Sequence, residues 1–199
     1  MTAQRGIVCA GNWIVDIIHD ISHWPEESDL VNISGQTIGV GGGAANVAFN
    51  LAALQVDYPV LPAGLLGHDN HGELVRSACH EVGLPVEQLS SIPKVCTAHT
   101  HVMNVQHNSR TFFYNAGANA HFDEHTLSMK AIAKHNPSIF YLGYLNLLPL
   151  LDASDGQGRT GTARRRENKA RGGATANGRG RVWLLRGVWR SDRAKAPWP

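Results

Sequence analysis

Residues 39–54, GVGGGAANVAFNLAAL, decide the fold of this chain. Three consecutive glycines, Gly41, Gly42 and Gly43, lead directly into a run of alanines and of apolar residues at helical spacing. The pattern predicts a helix packed closely on a sheet, whose first backbone N–H groups stay open to a polar or anionic ligand. Asn46 in the first turn is the polar exception, and it either caps local backbone groups or faces that ligand.

The overall composition is typical of a folded globular protein. The 199 residues are 43% hydrophobic and carry a formal net charge of +2. No apolar run reaches the roughly 18 residues that a membrane helix needs, and residues 1–11 lack the pattern of a signal peptide. We therefore expect a cytoplasmic protein with no membrane partner. The three cysteines, Cys9, Cys79 and Cys96, show no CxxC spacing, so neither a disulfide framework nor a zinc site is predicted.

Charge divides the chain at about residue 151. Residues 1–151 contain six Lys and Arg against 12 Asp and Glu, whereas residues 152–199 contain 12 against four. The first segment also holds all 11 histidines. The second is rich in Arg, Gly and Ala and has too few apolar residues to bury a core. These differences predict a folded domain over residues 1–151 and a basic, disordered tail over residues 152–199.

Hydrophobic periodicity predicts alternating strands and helices before the tail. The predicted elements, in chain order, are a buried strand (6–18), a half-exposed strand pair (29–40), the helix after the glycines, a buried strand (58–66), a helix (72–82) with Leu74, Val75, Ala78 and Val82 inward, a hairpin (96–120), a helix (126–134) and a buried strand (138–148). This order indicates an α/β fold with a parallel core, and the two period-two segments are expected to form a small sheet beside it.

Asp16 interrupts the apolar pattern of the first predicted strand. A carboxylate in such a strand either bonds to a neighbouring turn or lies at the open end of the strand, where α/β sheets bind ligands. Asn12, four residues earlier, has the same two interpretations.

Other motifs carry weaker signals. The GxGxxG at Gly156, Gly158 and Gly161 is followed by TARRRENKARGG rather than by a helix pattern, so a dinucleotide site is not predicted. His99 and His101 form an HxH pair, but no third metal ligand is marked and solvated positions are the simpler interpretation. No P-loop or nucleophile elbow occurs in the sequence.

Several of these motifs together resemble the N-terminal half of the PfkB/ribokinase family of sugar and nucleoside kinases. The residues that carry the resemblance are Gly11-Asn12 with Asp16, GGGAAN at 41–46, Gly64, Gly67-x-Asp69 and Gly72, and RTFFYNAGANA at 110–120. The resemblance covers about residues 6–151. It implies a ribokinase-like α/β fold in which an incomplete doubly wound parallel sheet carries a small β-lid.

The resemblance also implies a substrate site beneath that lid. The residues that match the family's substrate ligands are Asn12, Asp16, Gly42, Gly43, Asn46 and Asn119, with Ala118 near the same pocket. A carboxylate and amides suit the hydroxyl groups of a sugar or nucleoside, and bare glycine backbone lets a ring approach closely. A homodimer through the lid is the expected assembly, and nucleic acid is not an expected partner.

The family's activity implies ATP and Mg²⁺ as cofactors and transfer of the γ-phosphate to a substrate hydroxyl. In the family a GAGD motif in the second half supplies the catalytic aspartate, and this sequence contains no GAGD, so no catalytic residue is assigned. We therefore expect this chain to be inactive as a kinase. The abrupt change at about residue 152 is also typical of a GC-rich coding sequence translated out of frame.

Two alternatives remain on the sequence alone. The first is a non-catalytic binding protein whose folded part recognises a small ligand and whose basic tail contacts nucleic acid, because Arg, Gly and Trp suit phosphates and bases. The second is an unrelated nucleotide-binding α/β protein. Binding of sugars as against dinucleotides or RNA separates the three.

Overall fold

The computed structural model describes residues 6–105, 110–143 and 147–153, together with the backbone of residues 183–186. The predicted turn at residues 107–109, the GxGxxG motif and most of residues 152–199 lie outside the described residues. No helix in the described ranges has the length and apolarity to cross a membrane. The domain boundary at residue 151 stays a prediction.

The core of the molecule is a five-stranded parallel sheet in the order β5-β4-β1-β8-β9. Its strands are β1 (Ile7–Gly11), β4 (Val60–Gly67), β5 (Leu89–Ile92), β8 (Ile139–Gly143) and β9 (Trp183–Arg186). Strands β1 and β4 are buried along their whole length, as expected for strands covered on both faces. The predicted parallel α/β core is confirmed, although β5 was not predicted and β9 lies within residues 152–199, the segment predicted to be disordered.

Helices cover both faces of this sheet. They are α1 (Gly43–Ala53), α2 (Asn70–Glu81), a 3-10 helix (Gly117–His121), α3 (Met129–Lys134) and α4 (Pro149–Asp152). One hydrophobic cluster packs α1 and α2 on the first face, and a second packs Phe122, Ile132 and Leu151 on the other. The alanines of α1 let it lie close to the sheet, because Ala44, Ala45 and Ala48 are fully buried.

A second, four-stranded sheet lies beside the core, and we call it the lid sheet. Its order is β3-β2-β6-β7, formed by β2 (Ile14–Ile21), β3 (Ile33–Gly41), β6 (His99–Val105) and β7 (Arg110–Asn115). The pairs β2–β3 and β6–β7 are antiparallel, whereas β2 and β6 run parallel. The predicted separate sheet is therefore confirmed.

Two predicted strands differ from the strands that form the lid sheet. Residues 6–18 form two strands in different sheets rather than one strand, because the backbone turns at Gly11, whose φ is +121°. The buried Trp13 then donates its indole N–H to the carbonyl of Ala63 at 3.1 Å, which fixes the turn. Residues 29–40 contain the single strand β3, because its antiparallel partner is β2 rather than an adjoining segment. Asp16 consequently lies inside a lid strand.

Helix α2 begins two residues earlier than predicted and buries a partly different face, with Val75 inward as predicted. The Asp69 side chain accepts a hydrogen bond from the N–H of Gly72 at 2.9 Å and so caps the helix at Asn70. The buried residues are Gly72, Val75 and Cys79, whereas two of the residues predicted to point inward are exposed: Leu74 (36%) and Val82 (49%).

Candidate functional site

Asp16 lies at the centre of a row of residues that crosses the lid sheet. The backbone register places Gly39 of β3 beside it on one side and Thr100 of β6 on the other, followed by Tyr114 of β7. Register partners project from the same face of a sheet. The Thr100 hydroxyl donates a hydrogen bond to the Asp16 carboxylate. Burial raises the pKa of Asp16, and the bond from Thr100 opposes part of that rise.

The start of α1 reaches the same place. Gly42, the residue before the helix, has a φ of +98° and no side chain caps the first turn. A Cβ added at Gly42 would lie 2.5 Å from the carbonyl oxygen of Asn12, so the two backbones are in direct contact. A Cβ added at Gly41 would collide with Oδ2 of Asp16. The carboxylate therefore lies against the glycine segment that leads into the helix.

The two asparagines near this helix start differ in exposure. Asn12 is completely buried in the turn between β1 and β2. Asn46 is exposed in the first turn of α1, and its backbone N–H donates to the carbonyl of Gly42 at 2.9 Å. Since no side chain caps α1, the capping role proposed for Asn46 is not observed. The interpretation of Asn46 as a ligand-facing residue stays a prediction.

Asn119 joins the row through Tyr114. It is fully buried in the 3-10 helix next to Ala118, and its Nδ2 donates to the Tyr114 hydroxyl at 3.2 Å. Its Oδ1 is buried and has no hydrogen-bond partner among the described residues. Burial raises the pKa of the Tyr114 hydroxyl, and the bond from Asn119 partly offsets this. A buried amide oxygen without a donor is costly, which is typical of a position that a ligand completes.

The structure thus brings the six predicted site residues to one region where the lid sheet meets α1. Asp16, Asn12, Gly42 and Gly43 are adjacent or one contact apart, and Asn119 connects to Asp16 through Tyr114 and Thr100. Sequence reasoning missed Thr100 and Tyr114 because the register between β2, β6 and β7 is a long-range property. The alternation of residues 99–105 predicts that Thr100 lies on the opposite face of the strand from His99 and His101, but it does not show which of the two faces carries the site.

Four histidines gather on the opposite face of the lid sheet. The rings of His19 and His101 stack at 5.3 Å and share a 3.0 Å hydrogen bond between Nε2 and Nδ1. His99 lies 5.7 Å from His101, and His71 lies 5.3 Å from His99. Burial lowers the pKa of His101, and its three histidine neighbours lower it further. In the part of the chain that is described, no three His, Cys, Asp or Glu side chains are arranged to hold a metal ion.

A separate cavity of about 440 Å³ lies at the other end of the core sheet. The C-terminal part of α1, the start of β4 and the loop after α2 line it, including Leu51, Tyr58 and Pro85. No carboxylate lines this cavity, so it offers little to a polyol. The region around Asp16 remains the better candidate site.

Comparison with known proteins identifies the family of the chain. The model of the pfkB family of carbohydrate kinases matches residues 4–177, which is most of the chain, and the chain belongs to that family. The match runs past residue 151, where the motifs in the sequence end. Structures of this family share the ribokinase-like fold described above.

Individual relatives are ribokinases and a nucleoside kinase. The chain is 28% identical to an Arabidopsis thaliana ribokinase over 116 residues, which are 57% of this chain and 30% of that protein. A structure of Arabidopsis thaliana ribokinase with ribose and ATP is similar at 26% identity and a TM-score of 0.61, over 71% of this chain and 45% of that chain. A Methanocaldococcus jannaschii nucleoside kinase is similar in fold at 18% identity and a TM-score of 0.60, over 73% and 47%. The chain thus spans less than half the length of these relatives.

The family implies ATP and Mg²⁺, and we assign no described residue to either. The Asp16 carboxylate lies against Gly41, two residues before α1 begins, and its negative charge disfavours an anionic phosphate at that helix end. As noted for the histidines, no described side chains form a metal-binding group. We therefore derive no phosphoryl-transfer step from these residues.

Proposed function

We propose that residues 6–153 form the substrate-binding part of an ATP-dependent kinase for a sugar or nucleoside hydroxyl. The observation that carries the proposal is the carboxylate of Asp16 held against Gly41, two residues before the uncapped, glycine-lined start of α1. A carboxylate accepts hydrogen bonds from hydroxyl groups, and the backbone N–H groups donate to hydroxyl oxygens. A polyol needs both kinds of partner within a few ångströms.

Each site residue has a distinct part in this proposal. Asp16 accepts from two neighbouring hydroxyls, and Thr100 fixes the orientation of its carboxylate. Asn46 donates and accepts through its exposed amide. The buried Oδ1 of Asn119 accepts a hydrogen bond from the ligand, which satisfies the atom that lacks a donor. Gly42 and Gly43 carry no side chains and let the ring lie against the backbone.

The lid sheet contributes by excluding water. Water competes with the substrate hydroxyl for a transferred phosphoryl group, so kinases close their sites. Asp16 belongs to the lid sheet, whereas Gly43 belongs to a core helix. Substrate that bridges these two residues would therefore fasten the lid sheet onto the core.

We further propose that the chain as given binds substrate without turning it over. Its sequence has no GAGD motif to supply a catalytic aspartate. A coupled assay for ADP release with purified chain, Mg²⁺ and ATP should stay at background with each sugar tested. Sugar-dependent ADP release would contradict this part of the proposal.

Isothermal titration calorimetry tests the binding site directly. D-ribose, D-fructose and adenosine are the probes, and the variant is Asp16→Ala. We expect at least one probe to bind the wild-type chain saturably and Asp16→Ala to weaken it at least about thirtyfold, because hydrogen bonds to a charged partner are lost.

Asp20→Ala is the matched control. Asp20 lies on the same strand and the same face, and its Oδ1 accepts from Nδ2 of Asn104 at 2.6 Å. Its removal should leave the affinity within about twofold. Equal loss in both variants, or no binding of any probe to the wild-type chain, would contradict the proposed function.

A further inference from the structure

Strand β2 carries two aspartates in closely similar settings. Asp16 and Asp20 project from the same face, each beside a polar partner on β6, Thr100 and Asn104 respectively. Each also faces a glycine on β3: the register pairs Asp16 with Gly39 and Asp20 with Gly35. The surroundings of the two aspartates differ in whether a side chain fills the space above the facing glycine.

The space above Gly35 is filled, and the space above Gly39 is open. A Cβ added at Gly35 would lie 3.0 Å from Oδ2 of Asp20, so that carboxylate covers the glycine. A Cβ added at Gly39 would have no other atom within 4 Å. Asp16 turns instead towards Gly41 at the end of β3 and bonds to Thr100, which leaves the space above Gly39 open.

Nothing in the local fold requires a glycine at position 39. Its φ is not positive, and it lies within a strand, where glycine costs stability relative to a β-branched residue. A glycine in a strand often marks the close approach of a ligand. On the same row, the buried Oδ1 of Asn119 lacks a hydrogen-bond partner among the described residues, which independently indicates that a ligand completes this face.

We propose that Gly39 is a specificity-determining residue, which keeps open the space where the substrate's hydroxyl-bearing ring lies beside Asp16. This inference rests on the proposed function. The ring contacts the bare backbone of Gly39 while its hydroxyls reach the carboxylate. A larger residue at position 39 would fill this space, and only substrates that are smaller on the side facing β3 would then fit.

Two substitutions test the role of this space in the full chain. Gly39→Ala adds one methyl group and Gly39→Val adds an isopropyl group, and both fit the strand without collision in the absence of ligand. Calorimetry with D-ribose, D-fructose and adenosine should show a graded loss of affinity, about tenfold or more for Gly39→Val. The melting temperature should stay constant or rise, because valine favours strands.

Thr37→Val is the control, since Thr37 lies two residues away on the same strand and the same face. It should bind the probes as the wild type does. Wild-type binding that survives in Gly39→Val would overturn this inference and leave the proposed function intact. Absence of saturable binding to the wild-type chain would overturn both.

Discussion

At the residue scale, Asp16 serves the candidate site at a cost to stability. Burial raises its pKa, and a raised folded-state pKa means that the ionised form is less stable in the folded chain than in the unfolded one. Stability conferred by the protonated form is fully present below the unfolded-state pKa and is lost as pH rises through the folded-state pKa. A residue kept in such a position is typical of a functional site.

The first prediction concerns this pH dependence. Asp16→Asn should be as stable as the wild type at low pH and more stable at neutral pH, because asparagine has nearly the shape of aspartate but carries no charge. The difference in the free energy of unfolding is measured by urea denaturation of both proteins between about pH 3 and 8, a range that begins near the usual carboxyl pKa. A wild type that becomes the more stable of the two as pH rises would contradict the sign.

Asp69, unlike Asp16, stabilises the fold in its ionised form. Burial acts to raise its pKa, but hydrogen bonds from the Thr97 side chain and backbone and from Gly72, together with the charge of His71, lower it overall. The Thr97 hydroxyl donates to Oδ1 at 2.6 Å and then accepts from the N–H of Gly67 at 2.9 Å. Asp69 thereby joins β4 and α2 to Thr97, two residues before β6 begins.

The second prediction follows from this network. Asp69→Ala should lower the free energy of unfolding by about 1–3 kcal/mol at neutral pH, because a helix cap and two further hydrogen bonds are lost. Wild-type stability from Asp69 is present above the unfolded-state pKa and falls as pH drops through the lowered folded-state pKa. The stability gap to Asp69→Ala should therefore narrow below about pH 4. A stability difference that stays constant down to about pH 2 would show that the ionised carboxylate of Asp69 is not the source of the stability.

At the element scale, sequence periodicity predicted those elements whose pattern is local. Helix α1, strand β4 and the β6–β7 pair follow directly from their spacing of apolar residues and glycines. The split of residues 6–18 into β1 and β2 was not predictable, because apolar residues continue through the turn and Trp13 finds its partner Ala63 fifty positions away. The inward face of α2 was predicted only in part: Val75 is buried as predicted, but Leu74 and Val82 fit the helical period as well as the buried Cys79 does.

The third prediction concerns the start of α1. Gly42→Ala should destabilise the chain by about 1–3 kcal/mol, because alanine is strained at a φ of +98° and its Cβ would meet the Asn12 carbonyl. Gly83→Ala is the control, because Gly83 has a φ of +74° but open space around it. The control should lose about 1 kcal/mol. Equal losses in urea denaturation would show that Asn12 and Gly42 are not in contact.

At the scale of the whole molecule, the sequence motifs indicated the family and the region of the site, but not the row of side chains across it. The contacts of Thr100 with Asp16 and of Tyr114 with Asn119 join segments that are far apart in sequence. Only the register of the lid sheet brings them together. The exposed apolar side chains of the lid sheet are equally a property of the assembled sheet: Ile33, Ile38, Phe112 and Phe113.

The fourth prediction is that the lid sheet mediates a homodimer, which we propose from these exposed side chains. Phe113 is 50% exposed and stacks on Trp24, with ring centroids 6.1 Å apart. Phe113→Asp should shift sedimentation towards the monomer, whereas Leu54→Asp, at the end of α1 and 73% exposed, should not. A monomeric wild type at all concentrations would contradict the proposal.

The most direct test of the central claim is to locate the bound ligand by NMR. The ¹⁵N-labelled chain is titrated with D-ribose, D-fructose or adenosine, and shifts of backbone amides are mapped. We expect saturable changes concentrated at Asn12, Asp16, Gly42, Gly43 and Asn46, with no change around the cavity that Tyr58 and Pro85 line. Changes confined to that cavity, or none with any of the three probes, would contradict it.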